Sequence, residues 1–132
     1  MKKILLLLLL PFTLLAQGPP NCVPTTIIIN LDQYQNETSW DVKDTNGVVV
    51  ASGNGYWSQP DYGVVLEQRC LPAGDLTFTM YDSYGDGLAG ALWGGLDGSY
   101  YVVQCYDTLV RGTVPNFLHD TTHVLISAPC PP

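Results

Sequence analysis

The sequence predicts an all-β protein, an antiparallel β-sandwich of about eight strands. Three observations carry that prediction. Apolar and polar residues alternate with period two in short segments, and glycine, proline, asparagine and aspartate punctuate the gaps between them. No stretch after residue 16 shows the apolar spacing of an amphipathic helix.

The elements follow in order. Residues 26–31 (Thr-Ile-Ile-Ile-Asn-Leu) are rich in the β-branched side chains that pack well on a pleated surface. Residues 39–44 set Trp40 and Val42 against Asp41 and Lys43, a half-buried strand. Asn46-Gly47 is a strong hairpin signal, because both residues accept positive φ, and Val48-Val49-Val50 leads back from it. Residues 64–68 form the next strand, closed by Pro72-Ala73-Gly74-Asp75. Residues 76–81 then place Leu76, Phe78 and Met80 on one face and Thr77, Thr79 and Tyr81 on the other. Residues 99–105, 107–111 and 121–127 complete the set. Trp40, Val42, Leu76, Phe78 and Met80 are the expected core. Jelly-roll and Greek-key sandwiches have this pattern of short, evenly spaced strands. The sequence shows no internal repeat.

Residues 1–16 read apart from the fold. Lys2 and Lys3 precede an apolar run broken by Pro11, and Leu14-Leu15-Ala16 offers a small residue for cleavage before Gln17. That is the pattern of a secretory signal peptide. About a dozen apolar residues are too few to span a bilayer, so no membrane insertion is expected after cleavage. Residues 17–132 are expected to form a single module with its core within 22–130, secreted to the extracellular space, the periplasm or the cell surface. They keep three cations (Lys43, Arg69, Arg111) against all twelve acids, a formal net charge of −9. Nucleic acid and anionic membranes are disfavoured partners for such a surface. Cations, neutral glycans and basic proteins remain compatible with it.

Cys22, Cys70, Cys105 and Cys130 are an even set, which in an exported chain implies two disulfides. The absence of a C-x-x-C spacing disfavours a zinc knuckle. Three pairings are open. Antiparallel pairing of the strands at 25–31 and 121–127 would bring Cys22 beside Cys130, leaving Cys70 for Cys105. This is the expected arrangement, each bridge contributing roughly 2–4 kcal/mol.

The segment Asp82-Ser83-Tyr84-Gly85-Asp86-Gly87 directly follows the strand at 76–81. Two carboxylates four residues apart in a glycine-bearing loop can converge on a hard cation, for which carboxylate and carbonyl oxygens are the preferred ligands. Glu37 or Asp32, from the loop before Trp40, would complete a Ca2+ site. The plainer alternative is that aspartate and glycine are good turn formers. An EF-hand is excluded, since Tyr84 and Trp93 stand where the third and twelfth loop positions require ligands. The irregular stretch 82–98 holds seventeen residues with six glycines, a length that marks a functional or mobile loop. Tyr56, Trp57, Tyr62, Tyr84 and Trp93 also lie in glycine- or proline-bearing loops. Rings beside carboxylates can bind sugars, the apolar ring face under the pyranose and polar groups on its hydroxyls, although loop aromatics also cap cores. Trp57 and Trp93 are expected to be the most exposed, with Tyr84 and Tyr56 beside them.

Four motifs also carry a family resemblance: Glu37-Thr38-Ser39-Trp40, Cys70-Leu71-Pro72-Ala73-Gly74, Phe78 through Gly87 (Phe-Thr-Met-Tyr-Asp-Ser-Tyr-Gly-Asp-Gly) and Gly98-Ser99-Tyr100. Together they resemble secreted CUB-like β-sandwich modules of exported proteins in Bacteroidota-type bacteria. The resemblance implies a sandwich fold and a role beside secreted proteases or adhesion proteins. Relatives often carry a cysteine shortly after the Asp-Gly pair, where this chain reads Leu88-Ala89-Gly90-Ala91. By analogy with CUB domains that bind calcium, acids from separate loops would share the ion.

Catalytic signals are weak. His119-Asp120-Thr121-Thr122-His123 is not H-E-x-x-H, and on a strand its histidines would stand roughly 13 Å apart. No G-x-S-x-G occurs. The expected function is therefore a non-catalytic extracellular adhesion or carbohydrate-binding module, with a glycan or protein as partner. The alternative is a small secreted hydrolase or protease-associated accessory factor working through acidic residues.

Overall fold

Period-two patterning becomes alternate burial in the strands of the computed structural model, which describes residues 22–113 and 121–132. The expected signal peptide and His119 lie outside the described residues. Eight strands follow in order: β1 Cys22–Asn30, β2 Thr38–Lys43, β3 Val49–Gly53, β4 Val64–Pro72, β5 Gly74–Asp82, β6 Ser99–Gln104, β7 Asp107–Thr113 and β8 Thr121–Ser127. They form two four-stranded antiparallel sheets, ordered β4-β1-β6-β7 and β3-β2-β5-β8. The β-sandwich is as the sequence predicts. Among the described residues no helix is long and apolar enough to cross a membrane.

The connectivity repeats even though the sequence does not. In the first half, β1 and β4 pair in one sheet while the β2–β3 hairpin lies in the other. In the second half the roles of the sheets are exchanged: β5 and β8 pair, and the β6–β7 hairpin joins the first sheet. The halves interlock through the β1–β6 and β2–β5 ladders.

Trp40, Val42, Leu76, Phe78 and Met80 are all buried, as the alternation predicts. Phe78 sits between Trp40 and Tyr100, with ring centroids 5.9 and 5.8 Å away. Two polar networks close the core. Gln104 donates from Nε2 to Thr25 Oγ1 (2.8 Å) and Ser127 Oγ (2.9 Å), linking the two sheets. On the β4 side, Trp40 Nε1 donates to the Tyr56 hydroxyl (2.8 Å), Tyr56 and Arg69 both donate to Glu67, and the Arg69 guanidinium lies over the Trp40 ring. An inward-facing Glu67 is tolerated because each of its oxygens has a donor.

The expected disulfide pairing is corrected. Cys22 is bonded to Cys70 and Cys105 to Cys130. The premise of the other pairing fails because β1 and β8 lie in different sheets: β1 is flanked by β4 and β6, and β8 pairs with β5. The β1–β4 register sets Cys22 opposite Pro72 and Pro24 opposite Cys70, so the two cysteines are diagonal neighbours.

This topology gives the sandwich two unlike ends. The hairpins β2–β3 and β6–β7, the β4–β5 connection and both disulfides lie at one end. The crossovers β1–β2, β3–β4 and β5–β6 lie at the other, as the pairs Asn30–Val64, Asn30–Ser99 and Thr38–Asp82 show.

A candidate cation-binding cleft at the crossover end

The alternation Leu76, Phe78, Met80 along β5 continues to Asp82, which brings a buried carboxylate to the end of the core. Its burial is offset by the turn that follows: Asp82 Oδ2 accepts from the backbone N–H groups of Gly85 (2.7 Å) and Gly87 (2.6 Å). That tight turn holds Gly85 and Gly87 at φ 96° and 68°, a region where side chains with a Cβ are strained. Asp82 is thus a turn former, as the plainer alternative has it, and the turn carries Asp86 back over the end of the sandwich.

Asp86 is only 9 % exposed. Its Oδ2 accepts from the indole N–H of Trp93, whereas its buried Oδ1 has no hydrogen-bond partner. Glu37 closes a 3-10 turn in the β1–β2 crossover, and its carbonyl accepts from Ser83 N–H (3.0 Å), which fastens one loop to the other. One carboxylate oxygen from each of Glu37, Asp82 and Asp86 lies within 4.8 Å of the others. Asp32 stands outside this trio. It is buried, and its Oδ1 caps the next turn by accepting from Tyr34 N–H (2.8 Å).

Electrostatics register the crowding. Burial pushes the Glu37 carboxyl above its usual range, and Asp82, Asp86 and Asp32 push it further. Asp32 is raised first by burial; the Tyr34 N–H partly offsets this, and the charges of Asp86 and Asp82 add to it. Converging acids of this kind favour either protonation or a hard cation with oxygen ligands.

Above the carboxylates lies a cleft of about 260 Å³ lined by Tyr34, Glu37, Tyr84, Asp86 and Trp93. Tyr84 and Trp93 meet edge to face at 6.1 Å and are 66 % and 54 % exposed. Trp57 is 74 % exposed in the β3–β4 crossover but does not line the cleft. Tyr56, expected among the exposed rings, is corrected to a core residue. It is 6 % exposed, and its hydroxyl pKa is raised by burial and then by Glu67. Sequence reasoning missed Tyr34, whose signal was its place midway between Asp32 and Glu37.

The stretch from 82 to 98 is anchored. Leu88 and Ala89 are buried, Gly98 N–H donates to Leu88 O (2.7 Å), and Ala91 N–H donates to Asp97 Oδ1 (2.9 Å). Gln33 docks onto it through a bond from Nε2 to Gly90 O (3.0 Å). A Cβ on Gly90 or Gly95 would fall 2.4 or 2.1 Å from Gln33 Oε1, so that close approach requires glycine. His123 takes no part in this site. It lies on β8 bonded to the Tyr100 hydroxyl (2.7 Å), and burial lowers its pKa.

Comparison of the chain with protein-family models, curated proteins and solved structures returned no match.

Proposed function

We propose that the protein is a secreted, non-catalytic binding or adhesion module whose ligand site, formed by the crossover loops, depends on calcium and is directed at extracellular glycans. The observation that carries this reading is Asp86, whose buried Oδ1 has no hydrogen-bond partner and whose carboxylate brings one oxygen within 4.8 Å of oxygens of Glu37 and Asp82. A lone acceptor withdrawn from water costs about 1–3 kcal/mol or more when charged, and a bound cation removes that cost. Glu37, Asp82 and Asp86 would hold the ion, which would supply positive charge and open coordination positions. Two disulfides, the leader-like residues 1–16 and the resemblance to CUB-like modules support an exported location. The same convergence disfavours the hydrolase alternative of inverting type, whose carboxyl groups stand about 6.5–9.5 Å apart to admit a water.

Calorimetric titration with Ca2+ tests the reading. The wild type should bind one ion, and Asp86→Asn should bind it at least about tenfold more weakly, a loss of 1.4 kcal/mol. A glycan array then tests the ligand class: Trp93→Ala should lose glycans that the wild type retains, whereas Trp57→Ala, outside the cleft, should keep them. Turnover of a polysaccharide or peptide with no glycan retained would favour the hydrolase alternative.

A further inference from the structure

Resting on the calcium reading, the geometry points to a more specific ligand: we infer that the cleft takes a single neutral pyranose, whose vicinal hydroxyl pair ligates the ion held by Glu37, Asp82 and Asp86 and whose apolar face lies on Trp93 or Tyr84.

Four observations converge on this class. The first is ligand count. Ca2+ takes six to eight oxygens. Three carboxylates present at most about six, and several are already engaged: Asp86 Oδ2 accepts from Trp93, and Asp82 Oδ2 accepts two backbone N–H groups. The shell is therefore incomplete on the cleft side, and a pair of adjacent hydroxyls fills two positions at once. Second is charge. Three carboxylates around a divalent ion leave a net charge of about −1, and the buried Asp32 lies close enough for its pKa to respond to Asp82 and Asp86. Uronic and sialic acids would meet that charge, whereas neutral hydroxyls would not. Third is size. At about 260 Å³ the cleft is smaller than the roughly 300–1,000 Å³ pockets that hold drug-sized ligands, which suits one ring rather than an oligosaccharide. The fourth is the wall. Tyr84 and Trp93 are both exposed residues lining the cleft beside Glu37 and Asp86, and the Trp93 indole is bonded to Asp86 itself, so ring surface and ion site are held in register.

The test uses methyl α-mannoside, methyl α-galactoside and methyl α-glucoside as neutral probes and glucuronate as the charged one. Binding is followed by ligand-observed NMR in calcium and in EDTA, with a separate calorimetric Ca2+ titration. At least one neutral glycoside should bind in calcium and weaken by about tenfold or more in EDTA, with glucuronate weaker than its neutral counterpart. Tyr84→Ala removes ring surface without touching a carboxylate bond in the cleft; it should weaken sugar binding several-fold, up to about tenfold, at unchanged Ca2+ affinity. Ca2+ binding with no glycoside retained, or sugar binding equal in calcium and EDTA, overturns this inference and leaves the calcium reading standing. Preference for glucuronate overturns the charge argument and with it the ligand class. No heat of Ca2+ binding would remove both readings together.

Discussion

At one end of the sandwich the chain reverses through Ala73, through Cys105-Tyr106 and through residues 44–48, and two disulfides tie it down. At the other it passes between sheets through residues 31–37, 54–63 and 83–98. The short end has little loop entropy to lose and is crosslinked besides. The long end gathers Asp32, Glu37, Asp82 and Asp86 together, which opposes folding while all are ionised. The crosslinks lie at the first end and the acidic cluster at the second, and the strands between hold them apart. A cluster of like charges is thus affordable at one pole because covalent closure at the other does not depend on it.

The largest expected effect comes from opening the crosslinked end. In the chain-entropy picture the Cys22–Cys70 bridge, closing 48 residues, contributes about 4 kcal/mol, and the Cys105–Cys130 bridge, closing 25, about 3.5 kcal/mol. Urea denaturation of the two double-serine variants should show losses of that order, while the Ca2+ affinity of whatever remains folded should hardly change. A matching loss of Ca2+ affinity would mean that the ends are coupled and the contrast is false.

Filling the ion site comes next. If the proposed site binds Ca2+, a hundredfold excess over Kd should stabilise the folded state by about 2.7 kcal/mol, or roughly 10 °C in melting temperature for a domain of this size. Asp86→Asn should abolish most of that gain. Identical melting curves in calcium and EDTA would leave Asp82 and Asp86 as turn residues alone.

The gain should also depend on pH. Glu37 and Asp32 have folded-state pKa values above their ordinary 4.5 and 3.8. Without an ion, their contribution favours the folded state below those ordinary values and is lost as pH rises through the raised ones. Ca2+ held by Glu37 must displace the proton that this carboxyl retains, so the calcium-minus-EDTA shift should shrink as pH falls from about 7 toward the ordinary carboxylate range. His123, with a lowered pKa, favours the folded state above its ordinary 6.5 and acts in the opposite sense, but it does so equally in both buffers and cancels in the difference. A shift that grows on acidification would contradict the carboxylate site.

The smallest effect returns to the short end. Cys105 and Tyr106 both carry positive φ, 51° and 70°, in the two-residue β6–β7 turn, and Tyr106 is fully exposed. Asparagine tolerates that conformation better, so Tyr106→Asn should stabilise by about 1 kcal/mol or somewhat less. No gain would mean that the ring itself contributes at the turn.

What could be read from the sequence was what is local. Period-two alternation located the strands and identified Trp40, Val42, Leu76, Phe78 and Met80 as core, because side-chain direction in a strand follows from position alone. Disulfide partners were not legible in the same way, since they depend on which strands lie side by side, and β1 takes β4 and β6 as neighbours where β8 was expected. The Asp82 loop stood out through its composition. That Asp82 would organise the turn while Asp86 Oδ1 was left without a donor depends on distances between residues of the folded loop. Tyr56 and Trp57 are adjacent aromatics in one loop, and nothing in that dipeptide says which ring turns inward; the difference comes from Trp40 and Glu67, sixteen and eleven residues away.

The interlocked halves also make the molecule a natural split pair. Each disulfide closes within its own half, and Ala73 alone separates β4 from β5. A backbone cut there would sever the only covalent link between two internally stapled pieces. Neither piece could complete a sheet by itself, because β1 needs β6 and β2 needs β5. Reassembly would therefore be bimolecular, with a rate set by fragment concentration, and the Glu37 carboxylate would meet Asp82 and Asp86 only in the rejoined complex.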